Sequence, residues 1–273
     1  MARRQKKRLK VALLIPCHGD PKARFVQCLA DMLSHFHGAK LTNAAGEEYD
    51  KEAETFIISS SILCESRHRL AAEALAWEAD HLLWMDSDHV FPRDALCRLW
   101  ARNLPVVGVN YARRCKPTAP TAARIVTDAD EADHKNLVYT TQEKAEAGEV
   151  EEVSHLGFGL VLMRAGLFNI LQLHAEREGK ESFLPLFAMP AKEDGTSFVG
   201  EDVFFFGKVR EAGVKIHCDH ALSWEVGHLH ERIVTNAHAC AERDAWIEQG
   251  RRLNRKFADK AEELERRDPS HAV

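Results

Sequence analysis

Short, wholly apolar runs alternate with amphipathic stretches through the first 110 residues, and this alternation limits the possible folds more than any other feature of the chain. Lys10 to Ile15 is a continuous β-branched and leucine run closed by Pro16, which reads as a buried first strand. Apolar residues at 25, 26, 29, 32, 33 and 36 give Arg24 to Phe36 a helical period. Thr55 to Ser59 predicts a second strand, and the alanine- and leucine-rich Ser66 to Glu78 a helix. His81 to Met85 predicts a third strand and Val106 to Val109 a fourth. Between them Phe91 to Trp100 predicts a third helix, with Pro92 and Asp94 in its first turn. This order implies an α/β chain on a parallel sheet with right-handed crossovers.

Asp128 to Glu152 breaks the pattern: nine acidic residues stand against two lysines there. The expectation is an exposed excursion with a short strand at Leu137 to Tyr139. Apolar order returns as a strand at Leu160 to Met163 and a helix at Leu167 to His174. Asp202 to Ala212 reads as a helix stopped by Gly213, followed by a strand at Val214 to Cys218. From Ala237 the chain is helical in period and highly charged. The simplest division is a basic arm over residues 1–9, one domain over 10–235 and a helical extension over 236–273.

Composition narrows the function classes. The 273 residues are 45% hydrophobic and 29% charged, enough for one large core, and no run approaches the roughly 20 apolar residues of a membrane span. Seven scattered cysteines without a CxxC read as reduced thiols, and with no export signal in view the expected location is cytoplasmic. The net charge is −5, but the first ten residues carry six basic groups, leaving the other 263 at −11. An acidic body argues against a broad duplex-binding surface, while the basic arm leaves a local contact with a polyanion open.

Three segments carry candidate chemistry. In His81-Leu-Leu-Trp-Met-Asp86-Ser87-Asp88, an apolar strand delivers two carboxylates at its C-terminal end, the edge at which parallel sheets bind ligands. On an extended chain, positions i and i+2 point the same way, so Asp86 and Asp88 can meet one hard divalent cation; turn and N-cap duty before Pro92 is the alternative. Gly200-Glu201-Asp202 opens a helix, where free N–H groups keep a carboxylate ionised. Glu225-Val-Gly227-His228 offers an imidazole behind a flexible glycine. Trp224 can stack on a sugar or a base, or simply pack. His217, His220, His228 and His230 cluster, but without the His-Glu-x-x-His spacing of a zinc hydrolase.

Taken together, Asp-x-Asp, Gly-Glu-Asp and Gly-His resemble the GT-A glycosyltransferases, in particular small family-2-like members of bacteria and phages. The resemblance spans about residues 10 to 230. It includes the opening strand ending Ile15-Pro16, the stretch Ser66-Arg67-His68-Arg69, and Gly157-Phe158-Gly159 ahead of Leu160. It implies a Rossmann-like, mostly parallel central sheet flanked by helices, and transfer of a sugar from a nucleotide-diphosphate-sugar, a UDP-sugar for preference, to an acceptor hydroxyl. Asp86 and Asp88, with His228 as a third ligand, would hold Mn²⁺ or Mg²⁺. Pro16, His18, Arg67, Asp86 and Ser87 would bind the donor, and Asp202 would be the general base of an inverting reaction, with Glu201 as the second choice. Gly157 and Phe158 would shape the sugar and acceptor side, while Arg113, Arg114 and Lys116 could meet phosphates or an anionic acceptor. The resemblance leaves the acceptor open between a modified DNA base and a bacterial glycan or lipid.

Two other classes compete. A phosphatase-like hydrolase would use Asp86 and Asp88 in an Asp-x-Asp-x-Val loop, but that loop belongs after the first strand, and no Asp-Asp pair occurs anywhere in the chain. A non-catalytic module binding a nucleotide-sugar or nucleic acid would keep the same pocket without turnover.

Overall fold

The computed structural model describes residues 7–43, 45–125, 136–192, 195, 197–230 and 233–267. In chain order its elements are β1 (Arg8–Cys17), α1 (Ala23–Gly38), β2 (Asp50–Ser59), α2 (Leu63–Ala76), β3 (His81–Met85), β4 (His89–Val90), α3 (Ala95–Ala101) and β5 (Val106–Gly108). There follow α4 (Gln142–Glu146), β6 (Val150–Val153), β7 (Leu160–Arg164), α5 (Gly166–Arg177), α6 (Glu201–Glu211), β8 (Ile216–Asp219) and α7 (His220–Glu225). The chain closes with β9 (Gly227–Leu229), β10 (Ile233–Val234), α8 (Asn236–Ala241) and α9 (Arg243–Arg267).

Seven strands form the central sheet in the order β2-β1-β3-β7-β5-β8-β6, and β10-β9-β4 form a small second sheet. In the large sheet β7 runs antiparallel to both β3 and β5, and β6 antiparallel to β8; the other five strands point the same way. Helices cover both faces. Along β1, Val11, Leu13 and Ile15 face Phe25, Met32 and Phe36 of α1 and Leu96 and Leu99 of α3. Ala12 and Leu14 face the opposite layer, where Leu70 and Ala74 of α2 pack with residues of α5 and α6. The period of two explains why an uninterrupted apolar run is needed here: both sides of the strand are core. Each such side chain contributes about 1.5–3 kcal/mol on burial.

The central sheet is mostly parallel, as expected; the Leu160–Arg164 strand inserts antiparallel between β3 and β5, where its four apolar residues are buried on both faces. Other expectations are revised. The third helix starts at Ala95 and not Phe91, since His89 and Val90 are still extended and pair with His228 and Gly227. The strand expected over 137–139 reduces to one bridge from Leu137 to Ala123. The acidic excursion is ordered where it is described, with Val138 and Thr140 fully buried and α4 and β6 following; residues 128–135 lie outside the described set. Residues 1–6 of the basic arm also lie outside it, whereas Arg8 and Leu9 already belong to β1. Asn236 is buried and its amide donates to the carbonyls of Asn110 and Ser223, which ties α8 to the body. All seven cysteines are free thiols, and among the described residues no helix is long and apolar enough to cross a membrane.

Candidate functional site

The C-terminal ends of β1, β2, β3 and β5 open onto a cleft of about 560 Å³. Its lining includes Pro16, Cys17 and His18 after β1, Ser60 and Ser61 after β2, Asp86, Ser87 and Asp88 after β3, and Tyr111 beyond β5. Leu63, Ser66 and Arg67 from the first turns of α2, Glu201 and Asp202 from α6, Phe158, Arg114 and His228 complete it. A parallel sheet places ligands at this edge because strand ends and helix N-termini converge there, and the volume is that of a small-molecule site.

The two carboxylates after β3 have different partners. Ser87 and Asp88 sit in a turn, so the extended geometry expected over 86–88 is absent and each aspartate finds its own partners. Asp86 Oδ1 accepts from Arg67 Nη2 at 3.0 Å. Arg67 is almost wholly buried; its guanidinium lies 4.4 Å from the Phe158 ring centre and 3.7 Å from Glu201 Oε1. Its Nε and Nη1 have no hydrogen-bond partner. Beneath it Trp84, Phe158, Phe187, Phe205 and Phe206 form a contiguous aromatic cluster. A buried guanidinium flanked by two carboxylates and a ring face keeps its charge without full solvation.

Asp88 faces the other way. Its Oδ2 lies 2.9 Å from Arg114 Nη1 and 3.4 Å from His228 Nε2, and its Oδ1 lies 3.2 Å from His89 Nδ1. Burial raises the Asp88 carboxyl, but contacts with His228 and His89 outweigh it and hold the group well below the usual carboxylate range. Pairing of β4 with β9 sets His89 opposite His228, and their rings stack at 4.3 Å. His228 Nδ1 lies 3.1 Å from the Ala112 carbonyl, which can only accept, so Nδ1 carries the proton. Nε2 faces Asp88 Oδ2, to which it donates when the ring is protonated and which it can join on a cation when it is not. Asp88, His89 and His228 bring one ligand atom each to within 4.8 Å of one another, and Nε2 of buried His89 lacks a hydrogen-bond partner among the described residues. A first-row divalent ion suits this oxygen and imidazole set.

Glu201 and Asp202 share the first turn of α6. Burial pushes the Glu201 carboxyl up, with Arg67 opposing and Asp202 adding. Asp202 Oδ1 accepts from Val203 N at 2.7 Å, and its Oδ2 has no hydrogen bond among the described residues.

Of the expected residues, Pro16, His18, Arg67, Asp86, Ser87, Asp88, Phe158, Glu201, Asp202 and His228 come together in the cleft, as does Arg114. Arg113, Lys116, Gly157 and Trp224 do not line it. Arg113 lies over the Trp246 ring, 5.9 Å from its centre, Lys116 is exposed on the same loop, and Trp224 sits half-buried on α7. Gly157 and Gly159 serve packing: a Cβ on Gly157 would stand 2.2 Å from the Tyr111 hydroxyl, and one on Gly159 would stand 2.6 Å from His89 Nε2. Phe158 between them is core and carries Arg67 on its face.

Two residues go beyond the expected set. His89 backs Asp88, and Tyr111 meets both imidazoles edge-on at 4.3 and 5.5 Å. The Tyr111 hydroxyl is pushed well above its ordinary range by burial, with Asp86 and Asp202 adding, so it stays protonated. The signal for Tyr111 was present, since it follows an apolar strand at its C-terminal end. His89 was hidden because its role depends on the β4–β9 pairing.

No protein-family model matches the chain, and no curated protein matches it in sequence. Solved structures match it in fold. The crystal structure of A197 from STIV aligns with a TM-score of 0.51 at 15% identity, covering 84% of this chain and 91% of that one. The crystal structure of GalNAc-T7 with UDP, GalNAc and Mn2+ aligns with a TM-score of 0.46 at 14% identity, covering 83% of this chain and 45% of that one. Identities this low speak for the fold alone, here a Rossmann-like, mostly parallel α/β sheet flanked by helices.

Proposed function

We propose that the chain is a cation-dependent glycosyltransferase that moves a sugar from a nucleotide-diphosphate-sugar to an acceptor hydroxyl with inversion. The observation that carries this reading is the convergence of Asp88 and His228, buried Arg67 with Asp86, and Asp202 on one cleft at the sheet's C-terminal edge. Asp88 and His228 would hold Mn²⁺ or Mg²⁺, with His89 behind them; the ion would neutralise the leaving diphosphate. Pro16, His18 and Ser87 line the nucleotide side. Arg67 orients Asp86 and Glu201, so that their carboxylates present fixed acceptors to the hydroxyls of the donor. Asp202 takes the proton of the acceptor hydroxyl as it attacks the anomeric carbon; Glu201, tied to Arg67, is the second candidate. Arg113 and Lys116 on the neighbouring loop offer charge to an anionic acceptor, whether a nucleic acid carrying a modified base or an anionic glycan or lipid.

A thermal-shift screen of UDP-, GDP-, CMP- and dTDP-sugars with and without Mn²⁺ tests the reading. Stabilisation by a diphosphate sugar only with Mn²⁺, followed by release of the nucleoside diphosphate when acceptor is added, is the expected result. Binding that ignores the metal and never leads to release would assign the cleft to a non-catalytic module.

A further inference from the structure

Arg114 occupies the place where charge on Asp88 would otherwise be met by a cation. Its Nη1 is 2.9 Å from Asp88 Oδ2, the same oxygen that faces His228 Nε2 at 3.4 Å. The other oxygen, Oδ1, points at fully buried His89, so an ion arriving from the cleft has Oδ2 as its point of entry. Asp88 is the only ion-pair partner of Arg114 among the described residues, and the Arg114 side chain is 43% exposed. Its loop is pinned at the base, where Arg113 N donates to the Ala119 carbonyl at 2.7 Å and Thr118 N to Glu242, while 114–116 are exposed. The guanidinium can therefore swing without unfolding the loop.

We infer that Arg114 is a positioning residue that couples cation and donor: it neutralises Asp88 while the site is empty, and transfers to the donor diphosphate when the cation takes Oδ2. A guanidinium and a divalent ion repel each other and cannot share that oxygen, so cation binding requires Arg114 to leave. A diphosphate gives it a bidentate partner to leave for. By linkage, whatever the nucleotide adds to cation affinity the cation adds to nucleotide affinity. This inference rests on the cation-dependent reading above.

The experiment is calorimetric titration of Mn²⁺ alone, and of Mn²⁺ in the presence of UDP, into the full chain and its variants. Arg114→Ala should bind Mn²⁺ alone about fivefold more tightly than the parent, the scale of an exposed ion pair, and should lose about as much of the enhancement by UDP. Arg114→Lys should fall between the two, and Arg113→Ala, which removes a neighbouring charge that does not touch Asp88, should match the parent. Equal Mn²⁺ affinities in Arg114→Ala and Arg113→Ala would overturn the coupling and leave the transferase reading intact. Parent and Asp88→Asn chains that bind Mn²⁺ identically would overturn the cation site itself, and the coupling with it.

Discussion

Among the described residues two clusters bring histidine and carboxylate close enough to share an ion: Asp88, His89 and His228 in the cleft, and Glu149, Glu151 and His220 around β6. They differ in how their ring nitrogens are used. In the second cluster both are committed, Nδ1 to Thr140 Oγ1 at 2.8 Å and Nε2 to Glu151 Oε2 at 3.1 Å. Lys144 pairs with Glu151 and lies 3.4 Å from Glu149, so a protein cation already balances the acids. The result is a brace joining α4, β6 and α7. In the cleft, His228 Nε2 faces Asp88 Oδ2 and His89 Nε2 has no hydrogen-bond partner among the described residues, while the cation balancing Asp88 is an exposed arginine on a loop. Both set histidine beside carboxylate; ligand atoms facing a cleft, with a displaceable cation, separate a candidate site from a structural knot.

The sharpest test is Asp88→Asn against Glu151→Gln. Asp88→Asn should lower transfer about a thousandfold and abolish Mn²⁺-dependent UDP binding, measured by sugar release and calorimetry. The contrast breaks if Glu151→Gln costs the Mn²⁺ binding and Asp88→Asn keeps it. Next in size, Asp202→Asn should lower kcat about a hundredfold or more with donor affinity retained, as loss of a general base requires; near-normal turnover would pass the role to Glu201.

Glu151→Gln should cost about 1–3 kcal/mol in denaturant unfolding, because it strips a buried histidine and Lys144 of a charged partner. UDP binding should be untouched, and a loss of UDP binding at normal stability would undo the assignment as a brace. The smallest expected effect concerns pH. Burial lowers His81 to about 4, and its Nδ1 has no hydrogen-bond partner. Between an unfolded value of about 6.5 and that lower one, the unfolded chain binds the extra proton, so stability falls as pH falls through this window. Substituting His81→Gln should flatten that part of the melting-temperature profile, and an unchanged profile would clear His81.

Much of this was legible in the residues. The run from His81 to Met85 is a strand to the residue, because four apolar side chains ended by Asp86 allow little else in a doubly covered sheet. Glu201 and Asp202 open a helix as Gly200 suggests. Gly157 looked like a residue of the sugar side and turned out to make room for Tyr111, a contact across 46 positions that no local pattern contains. Asp86 and Asp88 looked like one bidentate unit; a single turn at Ser87 divided them between Arg67 and His228.

By itself the sequence determined the α/β class, the strand that carries the aspartates and the set of residues with chemistry to offer, since period, burial and helix-start signals are local properties of the chain. The tertiary structure alone decided that β7 enters the sheet antiparallel, that β4 pairs with β9 to stack His89 on His228, and which cation each aspartate meets. Those outcomes depend on contacts between separate segments of the chain, where complementary shape and the pairing of buried charge choose among partners that local sequence leaves equivalent.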